Sequence, residues 1–389
     1  METPVVGVVG AGQLARMMQP AAIALGVPLR LLAERADASA AQVIADAQVG
    51  DYTDLEVLRA WAKGLDVVTF DHEHVPTPHL EALASDGVAC RPGPAALMHA
   101  QDKAVMRRRL AELEVPCPRN RVVDSSEAVA DFAAGAGGWP VVLKTARGGY
   151  DGKGVWVIHN PDEAARVFAA APAGVALVAE ERVDFARELS AVVARAPSGQ
   201  IAAYPVVEST QTGGVCTEVI APAPNLDPEM ALQAQQIAIT VAGELDVTGI
   251  LAVELFETRD GRILVNELAM RPHNTGHWTI DGAVTGQFEN HLRAVLDLPL
   301  GSPSARAPWT VMVNILGGPA PTLYDGYPHV QARDPEVRVH LYGKSVRPGR
   351  KVGHVTAYGE DLADVIQRAR HASEWFEGKI GDGESHEAR

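Results

Sequence analysis

Asp260-Gly261 is the pair a tight two-residue hairpin turn prefers, and it stands between two runs that both read as β-strands. The runs are Leu251-Ala-Val-Glu254-Leu-Phe-Glu257 and Arg262-Ile-Leu-Val-Asn266-Glu267-Leu268. A type I′ turn sets Arg259 against Arg262, and counting outward in antiparallel register then sets Glu254 opposite Glu267. Directly opposed residues have Cβ atoms about 4.5–5.5 Å apart. The expected neighbours on that face, Ala252, Phe256, Val265 and Ala269, are apolar. Two carboxylates in such surroundings repel each other and are costly to bury. A wet face would leave them merely solvated; the apolar neighbours favour a divalent cation between them. Oxygen-only ligands suit Mg2+ on nucleotide phosphates. An ideal pleat points Asn266 to the opposite face, so its side chain needs a local bulge to reach a metal.

Upstream, Val141-Val-Leu-Lys144 and Val155-Trp-Val-Ile158 read as strands flanking Gly148-Gly149-Tyr150-Asp151-Gly152-Lys153-Gly154. A strand rather than a helix follows, which excludes a P-loop. Glycines at a hairpin tip let the backbone approach phosphates closely, and Lys144 and Lys153 supply point charges for phosphate oxygens. The alternative is a flexible surface turn; the density of glycine and lysine favours a lid over phosphates.

The N-terminal part alternates strands and helices. Pro4 to Val9, Leu29 to Ala33 and Asp66 to Phe70 read as strands, with helices to about Leu25 and over Leu55 to Lys63. That pattern predicts a doubly wound parallel sheet over residues 1–100. Gly10-x-Gly12-x-x-Ala15, with Glu34 downstream, fits a dinucleotide fingerprint. Its physical content is a tight turn and a helix N-terminus able to hold an anion. A turn with no ligand fits equally well, and an NAD(P)-dependent oxidoreductase would leave the lid and the carboxylate pair unexplained. Further helices are expected over residues 101–115, 228–245 and 361–377, and two more strands over 176–195. Ser302-Pro-Ser-Ala-Arg-Ala-Pro308 reads as a boundary before a smaller β-rich region, and the tail from Gly381 is polar.

A formal net charge of −15 excludes nucleic acid as an expected partner, because phosphate backbones need a basic footprint. Within this acidic chain, Lys344-Ser-Val-Arg347-Pro-Gly-Arg350-Lys351 is a basic cluster suited to an anion such as a sugar phosphate, although a solvated basic turn is the commoner cause of such runs. Cys90, Cys117 and Cys216 have no metal-ligand spacing, and an odd count excludes a full disulfide framework. A reducing cytosol is therefore expected. No signal peptide and no membrane span are expected, since the N-terminus lacks a basic region and no apolar run is long enough.

These runs together resemble the ATP-grasp superfamily and, within it, the N5-carboxyaminoimidazole ribonucleotide synthetase family. The resemblance is carried by Gly12-Gln-Leu-Ala-Arg-Met17, Gly148 to Gly154, Val265-Asn-Glu-Leu-Ala-Met-Arg-Pro-His-Asn-Thr-Gly-His-Trp-Thr279 and Val346-Arg-Pro-Gly-Arg-Lys-Val-Gly-His354. It implies an α/β and α+β chain: a Rossmann-like domain over 1–100, an ATP-grasp domain with its glycine-rich lid over 101–300, and a small β-rich domain over 301–389. It also implies carboxylation of 5-aminoimidazole ribonucleotide with bicarbonate and ATP through carboxyphosphate, in a cytoplasmic homodimer. Lys103, Lys144, Gly149, Tyr150, Asp151, Gly152, Lys153, Gly154, Val155, Glu180, Glu181, Arg182, Val183, Glu188 and Gln211 would contact ATP, together with Asn266 and Glu267. Glu254, Glu267 and Asn266 would hold Mg2+, and Asp151 and Lys153 would face the reacting bicarbonate. Gln13, Leu14, Asn274, Lys344, Arg350 and Lys351 would line the ribonucleotide site.

The chain departs from the family pattern at three places. Lys103 stands where arginine is usual, Asp71 where glutamate is usual, and Gln211 where histidine is usual. The nearest rival is formate-dependent glycinamide ribonucleotide transformylase, whose lid carries a serine; Tyr150-Asp151 argues against it. A nucleotide-binding protein without catalysis is the other alternative, and the intact carboxylate pair argues against that.

Overall fold

The computed structural model describes residues 3–149, 153–171 and 174–381. The N-terminal alternation forms a parallel sheet in the order β3-β2-β1-β4-β5, from β1 (Val6–Val9), β2 (Leu29–Ala33), β3 (Asp46–Val49), β4 (Val67–Phe70) and β5 (Ala89–Cys90). Every residue of β1 is buried, as a central parallel strand covered on both faces requires. Gly10 then turns the chain into the helix Gln13–Leu25, which Gly26 ends in the left-handed region at φ 67°.

A second sheet, antiparallel in the order β6-β9-β7-β8, comprises β6 (Asn120–Val123), β7 (Val141–Thr145), β8 (Val155–Ile158) and β9 (Leu177–Glu181). Lys144 pairs with Val155, so the glycine-rich run closes a hairpin tip as expected. Tyr150, Asp151 and Gly152 lie outside the described residues, as do Met1, Glu2 and the tail from residue 382.

The third sheet is antiparallel and nine-stranded. It contains β10 (Phe185–Arg195), β11 (Ile201–Ala203), β12 (Val207–Thr212), β13 (Val215–Ala221), β14 (Gly249–Thr258), β15 (Ile263–Ala269), β16 (Trp309–Leu316), β17 (Arg338–Leu341) and β18 (Lys351–Gly359). The order is β15-β14-β10-β12-β13-β16-β18-β17, with β11 beside β10. The strands beyond the proline-rich boundary thus continue the central sheet through β13 and β16. The helix Leu362–Glu377 buries Val365, Ala369, Ala372 and Phe376 in a cluster with β16 and β18. Among the described residues no helix is long and apolar enough to cross a membrane.

Glu254 pairs with Glu267 as the sequence predicts, but by a different route. The turn is one residue longer than expected: Thr258 N–H donates to Arg262 O at 2.9 Å, Gly261 N–H donates to Thr258 O at 3.0 Å, and Gly261 takes a φ of 79°. Ladder pairs nearest the turn are therefore offset, with Leu255 opposite Val265. A bulge between this pair and Glu254–Glu267 extrudes Asn266 and cancels the offset. The bulge also corrects the expected face. Val265 joins Leu255 in the core cluster on the far side, and Leu264, opposite Phe256, takes the place expected for Val265.

Candidate active site

All three sheets border one cavity of about 1270 Å³, larger than a single small-molecule pocket usually is. The carboxylate pair lies on its wall. Glu254 is pushed up to about 7 by burial and by the neighbouring Glu267 and Glu188, with Lys351 and Arg271 offsetting part of the effect. Glu188, two residues from Ser190, the β10 partner of Glu254, is likewise pushed up to about 7 by burial.

The bulge turns Asn266 toward the cavity, where its Oδ1 accepts from Lys144 Nζ at 3.0 Å. Lys144 also pairs with Glu180 at 2.7 Å, and Arg107 reaches the other oxygen of Glu180 at 2.7 Å. Burial alone would raise Glu180, but Arg107 and Lys144 outweigh it and hold the group at about 2. Burial lowers Lys144, against the pull of Glu180. Lys103 opens the helix Lys103–Glu112, which Asp102 caps through the Ala104 and Val105 amides. Its Nζ lies 2.7 Å from Glu267 Oε1.

Gly149, Lys153 and Val155 bring the lid hairpin to the same cavity. Gly154, beside them, takes the left-handed φ of 72° that glycine allows. Glu180, Glu181, Arg182 and Val183 carry the chain from β9 toward β10 along the cavity edge. The Glu181 carboxylate is turned to Arg119 at 2.8 Å. Phe185 and Phe256 stack with centroids 4.8 Å apart, and with Val142, Val155 and Val157 they make one end apolar. Gln211 borders the cavity beside a register shift in β12.

The same cavity is lined by Gln13, Leu14, Asn274, Lys344, Arg350 and Lys351, and Lys351 is near enough to Glu254 to act on its charge. Lys344 donates to Gln13 Oε1, joining the first and last parts of the chain. The Asn274 amide is only 8% exposed, and the Cys216 thiol is the one side-chain partner it is given among the described residues. The remaining hydrogen-bonding capacity of such a buried amide needs a ligand or water.

The N-terminal fingerprint has an occupant from the chain itself. Asp71 accepts from the Gly12 N–H, and from the Ala15 N–H at 3.0 Å, filling the helix N-terminus that could have held a dinucleotide phosphate. A side chain at Gly12 would collide with that carboxylate.

Glu73, Arg271 and His273 also line the cavity; all three stand in runs the sequence singles out, without an individual role assigned to them there. Arg271 pairs with Glu73 at 2.8 Å. His273 Nε2 lies 3.4 Å from Glu254, and burial holds its imidazole well below its usual range, hence neutral. Arg271 and His273 sit in the same short run as Asn274, which was the available signal. Glu73 is remote from them in sequence, just after β4 and two residues beyond Asp71.

Three family models match the chain: a ribonucleotide synthetase preATP-grasp domain over residues 1–101, an ATP-grasp domain over 108–288 and a phosphoribosylaminoimidazole carboxylase C-terminal domain over 310–368. The N5-carboxyaminoimidazole ribonucleotide synthase of Mycobacterium tuberculosis is 54% identical, covering 98% of this chain and 90% of that protein. The solved N5-carboxyaminoimidazole ribonucleotide synthetase of Thermus thermophilus is 36% identical with a TM-score of 0.86, over 95% of this chain and 98% of that one. The Aspergillus clavatus N5-carboxyaminoimidazole synthase, solved with ADP and 5-aminoimidazole ribonucleotide, is 31% identical with a TM-score of 0.86, over 97% and 99%.

Proposed function

This chain belongs to the N5-carboxyaminoimidazole ribonucleotide synthase family, and from that premise we propose that it carboxylates the amine of 5-aminoimidazole ribonucleotide with bicarbonate, converting ATP to ADP and phosphate. The observation that supports the proposal is one cavity lined by the carboxylate pair, by the described lid residues Gly149, Lys153 and Val155, and by the cationic Lys344, Arg350 and Lys351. The enzyme is an ATP-grasp ligase of purine biosynthesis.

The residues present fit Mg2+. Glu254, Glu267 and the bulged Asn266 offer oxygen donors only, and Glu254 is held high by burial and then by the neighbouring carboxylates. Bound there with ATP, Mg2+ would neutralise charge on the phosphates. Lys103 and Lys144 place ammonium groups beside the same carboxylates and would hold phosphate oxygens. Gly149, Lys153 and Val155, which line the cavity, would lie over the phosphates and help exclude water. The edge from Glu180 to Val183, the stacked phenylalanines and Glu188 frame the base and ribose, with Gln211 alongside.

In the same cavity, Lys344, Arg350 and Lys351 would hold the ribonucleotide phosphate, while Gln13, Leu14 and Asn274 would supply neutral contacts. Bicarbonate oxygen attacks the γ-phosphorus of ATP, and ADP leaves. The substrate amine then attacks the carboxyl carbon, or the CO2 released from it; phosphate departs and the amine loses a proton. Asp151 and Lys153 are the groups proposed to face bicarbonate, and the half-buried Arg271, which lines the cavity, is a further candidate anion holder.

The corresponding division is 1–100, 101–300 and 301–389, and the working form is a cytoplasmic homodimer. The three free cysteines fit a reducing compartment. Phosphate release from ATP tests the function. It should require both 5-aminoimidazole ribonucleotide and bicarbonate. Equal release without them, or full activity with glycinamide ribonucleotide and formate, would contradict the proposal.

A further inference from the structure

Arg107 lies behind the cavity rather than in it, and its side chain is 1% exposed. It belongs to the helix that Lys103 opens. Its guanidinium donates three ways: Nε to Glu180 Oε1 at 2.7 Å, Nη1 to Val265 O at 2.9 Å and Nη2 to Asn266 O at 2.7 Å. The two carbonyls belong to the last ladder residue before the bulge and to the bulged residue itself. Bulges beside active sites re-aim side chains, and this one turns the Asn266 amide onto Lys144 at 3.0 Å. Lys144 closes the circuit on the second oxygen of Glu180 at 2.7 Å. Arg107, Glu180, Lys144 and Asn266 therefore form one ring that joins a helix, both strands of the lid sheet's centre and the metal hairpin.

We propose that Arg107 is a positioning residue for the metal-nucleotide site: it holds the bulge so that Asn266 and Lys144 face the phosphates. The proposal rests on the metal site described above and extends it to a residue that touches neither metal nor nucleotide. The chemistry requires the guanidinium fork. Its planar donors reach two carbonyls and a carboxylate at once, whereas a lysine ammonium keeps the charge but presents its donors from one point. Without the fork, buried acceptors at the bulge lose their donors, and a hairpin with a displaced residue has another register open to it.

The test is Arg107→Lys, with steady-state kinetics varying free Mg2+, ATP and 5-aminoimidazole ribonucleotide separately, and thermal unfolding alongside. The Mg2+ needed for half-maximal rate and the KM for ATP should rise about ten- to a hundredfold, the usual consequence of losing an outer partner of a metal ligand. The KM for the ribonucleotide should stay where it was. A lowered unfolding temperature with unchanged Mg2+ dependence would make Arg107 merely structural and overturn the proposal, as would an equal rise in ribonucleotide KM. If the lysine variant does not fold, Arg107→Gln takes its place with the same readouts; if neither folds, the positioning role is rejected. Glu267→Gln, measured in parallel, separates the two layers. Normal Mg2+ dependence in Glu267→Gln would sink the metal site itself. Loss there with wild-type behaviour in Arg107→Lys would sink only the role of Arg107.

Discussion

Lys103 donates to Glu267 at 2.7 Å, so one of the two carboxylates proposed to hold the metal is paired with a cation of the chain itself. Mg2+ and nucleotide would take over this pairing, freeing the ammonium for phosphate oxygens. Lys103→Ala should therefore raise the KM for ATP. A charge-assisted contact is worth roughly 1.5–3 kcal/mol, which corresponds to roughly ten- to a hundredfold. The KM for the ribonucleotide should not change. Steady-state kinetics check both, and an unchanged ATP KM would remove Lys103 from the nucleotide site.

Arg350 is the corresponding probe of the proposed ribonucleotide contacts. It lines the cavity and donates to Ser345 Oγ at 2.8 Å, with burial and the nearby Arg347 and Arg35 lowering its pKa. Arg350→Ala should raise the ribonucleotide KM about ten- to a hundredfold and leave kcat and the ATP KM near wild type, if the contact is equally strong in ground and transition states. A raised ATP KM with an unchanged ribonucleotide KM would assign the basic loop to the nucleotide instead.

At the proposed metal site, a proton and Mg2+ would compete for Glu254. Its pKa is about 7 in the folded protein against 4.5 for the free group, so the folded chain retains a proton that the unfolded chain loses between these values. The stability contributed by this group is full below 4.5 and is lost as pH rises toward 7. Buried imidazoles at His273, His277, His291 and His354 work in the opposite sense, since burial keeps each neutral below its ordinary range. Total stability is thus the wrong readout, and Mg2+ affinity is the right one. Calorimetric titration should show affinity weakening as pH falls below 7, approaching roughly tenfold per pH unit if one proton is displaced. Affinity independent of pH across that range would contradict the competition.

The pairing of Glu254 with Glu267 was legible because strand alternation and the Asp-Gly turn are local signals. The bulge was not. The loop takes one residue more than a type I′ turn and Asn266 restores the count, so the expected partners meet although the intervening register differs. Only the need for Asn266 to change face hinted at it. Arg107 was hidden for another reason. It stands in the run Arg107-Arg108-Arg109, and packing alone decides that Arg107 is 1% exposed while Arg109 is 34% exposed. Asp71 caps a helix 59 residues before it, a relationship with no local signature. By contrast, the parallel sheet and the lid hairpin follow from repeated short-range patterns, and the structure has both.

Glu254, Glu267 and the bulged Asn266 are proposed to form one Mg2+ site on which ATP turnover depends. Glu267→Gln tests it most directly, because the amide keeps the size of the side chain and removes only the charge. ATP turnover in saturating Mg2+, 5-aminoimidazole ribonucleotide and bicarbonate should fall to background while circular dichroism and thermal unfolding remain those of a folded protein. Near-normal turnover in that variant would contradict the account.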